Sequence, residues 1–273
     1  MTKLFWAVLS IVFLSQFSYC QEGIWLDYNK FVLSVNQFSK SAVYIEAPST
    51  GKAGTGTLFV VPHSDLSTLG DVFVASARHL VQDSVGAIMR PDTVMVTMQV
   101  KNGKQERRRY ALILVGARDI DVAIFTPLET FRPFKDYEAF APTTDEIASF
   151  AEIMTGQTVF IAGYPLGLGV KGTLNPIVQS GIISQVDTAK NLVLIDIPVN
   201  FGNSGCPAYV VNNDGVAKLL GLVFAFEPNT EFWGYRPSTG QPSPANSSLG
   251  RVVLLSGNID EVKQFVRTMF PRK

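Results

Sequence analysis

Histidine and cysteine are the scarce residues of this chain, two of each in 273. So few ligands make no recognisable metal site, because zinc centres gather three or four His, Cys or acidic side chains in set patterns. Nor is there material for a disulfide framework. An excess of charge of either sign is also missing. Lys+Arg and Asp+Glu both number 23, so no global field points to nucleic acid or an anionic membrane as a partner. With 47% hydrophobic and 17% charged residues, the composition excludes the low-hydrophobicity, high-charge signature of disorder. A chain near this size buries roughly 75% of its unfolded surface, so core packing alone is enough to hold it.

The first twenty residues, MTKLFWAVLSIVFLSQFSYC, stand apart. Lys3 gives a short positive start, residues 4–14 are almost unbroken apolar chain, and Ser18 and Cys20 put small side chains before an expected cut. This predicts a secretory signal peptide over residues 1–20, too short to span a membrane comfortably. An uncleaved anchor and a lipidated Cys20 are the alternatives, the second disfavoured by the bulky Tyr19. After cleavage Cys206 stands alone, so the exported protein has no internal disulfide. That suits a bacterial envelope location, periplasmic or extracellular, with no stable membrane association.

Between residues 41 and 125 the apolar runs are short and β-rich: SAVYIEA, GTGTLFVV, VFVAS, TVMVTMQV, YALILVGA and VAIFTPL. PHSD, RPD and KNGK punctuate them, the last with the look of a hairpin loop. Residues 127–156 mix proline, charge and aromatics without a strand period. Strand-like runs resume with QTVFIAGYP, IVQSGIISQV, NLVLIDIPV, CPAYVV, AKLLGLVFAF and RVVLLS. The spacing predicts an all-β barrel or sandwich in two halves. The insert at 227–250, rich in Pro, Ser, Gly and Asn, is expected to be a loop, and loops of that length often carry function. At the end, Ile259, Val262, Phe265, Val266 and Met269 fall at helical spacing behind Asn258 and Glu261, an N-cap and its partner.

One serine draws attention. In VNFGNSGCPAY, Ser204 sits between Gly202-Asn203 and Gly205, just after an apolar strand. Asn, Ser and Gly are common turn residues, so a plain surface turn is one reading. The other is a nucleophile, which needs a base, because a serine hydroxyl is weak at its own pKa. His63, after Pro62 in a turn, reads as surface. His79, in VFVASARHLVQD, lies where an apolar strand ends and the chain turns. A histidine base in turn needs an orienting carboxylate. ARDIDVAIF offers Asp119 and Asp121, and Asp121, directly before an apolar run, is the one carried toward a dry interior, where it must be paired.

The set ASARHLV, DIDVAIF and GNSGCP, in the order His, Asp, Ser, resembles the trypsin-fold serine endopeptidases, and more closely their bacterial HtrA/Deg-like branch. GTGTLFVV, GQTVFIAGYPLG, VQSGIISQV, GVAKLLGLVFAF and RVVLLSGNIDEVKQF resemble the supporting strands and terminal helix, over about residues 40–270. The resemblance implies two antiparallel six-stranded β-barrels with a C-terminal α-helix. The first barrel falls in 21–130, a linker in 131–156 and the second barrel in 157–273. It implies His79, Asp121 and Ser204 as the catalytic residues and the backbone N–H groups of Gly202 and Ser204 as the oxyanion hole. Pro198, Phe224, Ala225 and Phe226 would line the pocket for the side chain before the scissile bond. Without an acidic residue at its base, that pocket would take an apolar side chain rather than Lys or Arg. The implied partner is a protein or peptide substrate, and no cofactor is needed. A catalytically silent binding module of the same fold is the alternative, and an esterase a weaker one; an oligomer is compatible with either.

Two positions depart from the family pattern. Cys206 stands where a second glycine is usual and is expected to be structural, and Arg78 stands where alanine is usual. The chain ends soon after its terminal helix, so no trailing peptide-binding domain is expected. GLGVKG, residues 167–172, matches a glycine-rich phosphate motif but is followed by no helical pattern. KQERRRYA packs three arginines before a strand and reads as a solvated sheet edge that discourages pairing, with an anion-binding patch as the alternative.

Overall fold

Period-two patterning builds the strands. In the computed structural model, residues 29–256 are described except 31, 64–65, 84, 90–91, 117–119, 130–135, 171–173, 213–214 and 236–241, together with 263, 264 and 268. For 63, 66–70, 226–235 and 242–248 only the backbone is described. A helix, α1, is described at residues 29–30 and 32–38 and runs into a 3-10 turn at Ser39–Ser41. Six strands follow: β1 (Ala42–Ala47), β2 (Lys52–His63), β3 (Leu66–Ser76), β4 (Thr93–Gln99), β5 (Gln105–Val115) and β6 (Ala123–Pro127). After a connection, β7 (Thr158–Gly163), β8 (Ile177–Asp187), β9 (Leu192–Ile195), β10 (Pro207–Val211), β11 (Ala217–Tyr235) and β12 (Pro242–Leu254) complete the fold.

Each set of six closes into an antiparallel barrel. The orders are β1-β2-β3-β6-β5-β4 and β7-β8-β9-β12-β11-β10, the same winding twice. Alternation fills each interior. In β4, Val94, Val96 and Met98 point inward, joined by Ile45, Leu58, Val74, Tyr110 and Phe125. The second interior holds Val159, Ile161, Ile183, Val193, Ile195, Leu220 and Val252. A third apolar cluster lies between the barrels. Phe59, Phe73 and Ile124 from the first meet Phe160, Tyr209, Leu219 and Leu222 from the second, with Phe38 of α1 edge-on to Tyr209 at 5.0 Å. Burying each such aromatic contributes roughly 1.5–3 kcal/mol. The connection lies over this seam: Val60 N–H donates to Pro142 O (2.8 Å) and Ala148 N–H to Leu219 O (2.9 Å).

The KNGK stretch is the hairpin it resembles, with Gly103 at φ +77° and Val100 N–H bonded to Lys104 O at 2.8 Å. One expectation fails. Residues 227–235 and 242–250 of the insert are not loop but extend the β11–β12 pair, with Pro228 opposite Asn246, Trp233 opposite Pro244 and Tyr235 opposite Pro242. A two-stranded ribbon is held by backbone pairing and needs no apolar alternation, so its composition mimicked a loop. Arg107, Arg108 and Arg109 of β5 pair with Thr97, Val96 and Met95 of β4, while β6 pairs with β5 only from Tyr110 onward. The three side chains form ion pairs with Glu46, Glu106 and Glu129. The expected C-terminal helix lies mostly outside the described residues; Lys263, Gln264 and Thr268 are helical. Among the described residues no helix is long and apolar enough to cross a membrane.

Candidate active site

His79 sits in a 3-10 turn, Arg78–Val81, directly after β3. The turn is pinned from β2 and the residues before it. Lys52 Nζ donates to His79 O (2.7 Å) and Gln82 O (2.6 Å), and Thr50 Oγ1 donates to Leu80 O (2.5 Å). Asp121 enters just ahead of β6 and grips the histidine twice. Its Oδ1 accepts the His79 backbone N–H at 2.9 Å, and its Oδ2 lies 2.6 Å from His79 Nδ1. With Nδ1–H given to the carboxylate, Nε2 carries the free lone pair, which is the tautomer a base needs. Burial works to raise the Asp121 pKa, but the hydrogen bonds and charge of His79, with Arg78 nearby, outweigh it and hold the carboxyl below its ordinary value. Arg78 Nη1 also donates to Gly116 O at 3.3 Å, tying the histidine turn to the strand that leads toward Asp121.

Ser204 is held in a different way, through its peptide groups. Every carbonyl from Asn200 to Gly205 has a donor. Asn200 O accepts Asn203 N–H (3.0 Å), Phe201 O accepts Leu166 N–H (2.5 Å) and Asn203 O accepts Cys206 N–H (2.9 Å). The first barrel supplies the rest. Thr55 Oγ1 donates to Gly202 O (2.7 Å), Thr55 N–H to Ser204 O (3.0 Å) and Thr57 Oγ1 to Gly205 O (2.9 Å). On the donor side Asn203, Gly205 and Cys206 are committed, Gly205 N–H reaching Val223 O at 2.6 Å. Among the described residues, Gly202 N–H and Ser204 N–H donate to nothing. Because a trans peptide is planar with N–H opposed to C=O, the bonds to Phe201 O and Asn203 O fix the direction of both free donors. Gly202 has φ +93°, and a Cβ there would lie 2.4 Å from Tyr164 O, so the position admits glycine alone.

The barrels thus bring His79, Asp121 and Ser204 to one seam. Gly54 of β2 marks the meeting point: a Cβ on it would be 3.1 Å from Leu80 Cδ1 and 3.0 Å from Ser204 O. Ser204 Oγ itself makes no hydrogen bond to His79 or to any other group among the described residues. Of the other candidates, Asp119 lies outside the described residues and His63 ends β2 with its side chain undescribed. Pro198 is exposed and Ala225 half-buried, Phe224 packs on the cluster between the barrels, and the Phe226 side chain is undescribed. Cys206 is fully buried in the second barrel's core, and burial pushes its thiol pKa up, as suits a structural residue. Sequence reasoning missed Thr55, Thr57 and Lys52. The two threonines, buried with no exposure at alternate positions of an apolar strand, were the available signal.

Residues 54–222, more than half of the chain, match the sequence profile of the family described as the trypsin-like peptidase domain. The chain belongs to the trypsin-like peptidase family. Its members are serine endopeptidases, which agrees with the sequence resemblance. Among solved structures, this trypsin-like peptidase is similar to a serine endoprotease from Yersinia pestis, with a TM-score of 0.53 and 16% identity over 87% of this chain and 66% of that one. The HtrA-type protease AlgW, solved with a tripeptide, gives a TM-score of 0.54 and 17% identity over 88% of this chain and 64% of that one. These likenesses share the fold, and the chain spans about two-thirds of each protein's length. A search of curated proteins finds no match. No peptide-binding domain accompanies the two barrels among the described residues.

Proposed function

We propose that this trypsin-like peptidase is exported and hydrolyses peptide bonds with His79, Asp121 and Ser204. One observation carries the reading: an Asp-oriented histidine and a serine flanked by two uncommitted N–H donors occur together on one seam. Ser204 Oγ attacks the scissile carbonyl as His79 Nε2 takes its proton. Asp121 stays ionised and stabilises the imidazolium. Gly202 N–H and Ser204 N–H receive the oxyanion, where one such donor is typically worth about 10²–10³ in turnover. His79 then protonates the leaving amine, and water, activated by the same histidine, releases the acyl group. The chemistry needs no cofactor. The open Ser204–His79 contact fits an enzyme before substrate binds, since such bonds tighten in the complex.

An apolar residue before the scissile bond is the preferred substrate feature, because the pocket residues that the resemblance implies, Pro198, Phe224, Ala225 and Phe226, bring no charge. The leader at residues 1–20 supports a periplasmic or extracellular location. The open Ser204 hydroxyl also favours a second reading, a peptide-binding module without turnover. Fluorophosphonate labelling of the mature protein, followed by intact mass, separates the two. One adduct, absent in Ser204→Ala, is the expected outcome. A folded protein that takes up no label, alone or with peptide present, would leave only the binding module.

A further inference from the structure

We infer that Lys52 is a positioning residue for His79, and that β2 sets the distance between base and nucleophile by holding the histidine turn through Lys52 and the Ser204 loop through Thr55. This rests on the peptidase reading above. The turn that carries His79 is four residues long, too short to hold its own place, and its carbonyls are tied to other segments. Leu80 O accepts Thr50 Oγ1 and Val81 O accepts Met89 N–H at 2.9 Å. Lys52 Nζ alone grips the peptide carbonyl of the histidine itself, at 2.7 Å, and with the same ammonium Gln82 O at 2.6 Å. On the other side Asp121 takes the His79 N–H and the Nδ1 edge of the ring. Main chain and ring are thus held from two sides by charges of opposite sign, and the place of Nε2 follows from both anchors together. Among the described residues Lys52 forms no ion pair. A side chain that could extend into water gives up rotamer freedom of about 2 kcal/mol to stay fixed, and gains two charge-assisted bonds to backbone oxygens.

The same strand reaches the nucleophile. Three positions on from Lys52, about 10 Å along an extended chain, Thr55 N–H donates to Ser204 O and Thr55 Oγ1 to Gly202 O. Gly54, between them, lies against both halves, since a Cβ there would meet Leu80 and Ser204 O. Both anchor points sit in the ladder with β1, Lys52 opposite Ala47 and Thr55 opposite Tyr44, so their separation is that of a hydrogen-bonded strand. Ser204 Oγ makes no hydrogen bond to His79 among the described residues, so no direct bond between base and nucleophile fixes their spacing. What each is fastened to must fix it, and β2 is fastened to both.

Lys52→Met keeps the aliphatic stem and removes the donors. Its kcat for a peptide ester should fall about 10–100-fold with KM within about twofold, since small misplacements of reacting groups carry penalties of that size. Lys52→Arg, whose guanidinium offers donors to both carbonyls, should recover most of the loss. The proton on His79 Nδ1, in its 2.6 Å bond to Asp121, gives a far-downfield NMR signal that needs no substrate. That signal should be sharp in the wild type and in Lys52→Arg and broadened in Lys52→Met. If Lys52 and Thr55 define one distance, Lys52→Met combined with Thr55→Val should lose far less kcat than the product of the single losses, while the shifts in melting temperature add. Wild-type kcat in folded Lys52→Met, a loss that Lys52→Arg does not recover, an unaltered Nδ1 signal, or kcat losses that multiply in the double variant would overturn the inference and leave the peptidase reading intact. Should Lys52→Met not fold, Lys52→Gln, which keeps a donor for one carbonyl, takes its place with the same readouts and a smaller expected fall. A folded wild type that forms no acyl-enzyme would instead remove the peptidase reading, and this inference with it.

Discussion

The two barrels wind their strands in the same order but contribute to the site by opposite means. The first joins its two candidate residues side chain to side chain, His79 to Asp121, and no hydrogen bond from the second barrel reaches either among the described residues. The second presents Ser204 on a loop organised by peptide groups, and that loop leans on its neighbour. Thr55 and Thr57, both on β2 of the first barrel, hold three of its carbonyls. The proposed acid–base pair is therefore complete within one barrel, whereas the proposed nucleophile loop and its two free N–H donors depend on the barrels being docked. Substitutions in the first barrel should consequently disturb both halves of the chemistry, and those on the far side of the second should disturb neither.

The sharpest break of this asymmetry is Asp121→Asn. It leaves the fold and the Ser204 loop in place but removes the carboxylate from Nδ1, and kcat should fall by about 10⁴. Acid unfolding provides a second readout. The Asp121 pKa is lowered in the folded protein, so its stabilisation is present above the unfolded value of about 3.9 and disappears as pH falls through the folded value. Circular dichroism followed from pH 6 downward should show a shallower loss of stability below about pH 4 in Asp121→Asn than in the wild type. Identical acid transitions would mean that the carboxylate is not paired in solution.

Thr55→Val asks whether the loop depends on the first barrel. It removes the hydroxyl from Gly202 O and from Tyr164 N–H, the latter 3.0 Å away, without changing the shape of the side chain. A buried acceptor and donor left unpaired cost about 1–3 kcal/mol each in stability. Loss of the clamp on the Gly202–Asn203 peptide should lower kcat by roughly tenfold or more, with KM for a short peptide little changed. Thr55→Ser should restore both. A drop in melting temperature with full turnover would reduce Thr55 to a structural link.

Lys218→Ala probes the connection between the barrels. Lys218 pairs with Glu152 in the connection, and this hydrogen bond, helped by Ser149, lowers the Glu152 pKa to about 2. Glu152 is exposed and Lys218 partly so, and screening leaves such pairs worth about 0–1 kcal/mol. Melting temperature should move by a few degrees at most and turnover not at all. A large loss of activity would show that the connection, and not the seam alone, governs docking of the barrels.

How much of this was legible in the sequence depends on the range of each interaction. The strand at 93–99 shows itself through Val94, Val96 and Met98, and the hairpin at 101–104 through Asn102-Gly103, because alternation and turn chemistry act over a few neighbours. His79, Asp121 and Ser204 could be chosen because histidine is so rare here and because an aspartate before an apolar run needs a partner. The amino-acid sequence by itself determined two β-rich halves, the turn residues between strands and the three candidate groups proposed for the chemistry. Only the tertiary structure decided that β5 has a neighbour on each side, that residues 227–235 pair with 242–250 as a ribbon, and that Thr55 reaches the Gly202 carbonyl across 147 positions of chain. Peptide groups are the same at every residue. Which of them pair, and which two N–H groups around Ser204 stay free, is set by barrel closure and docking rather than by any local pattern of side chains.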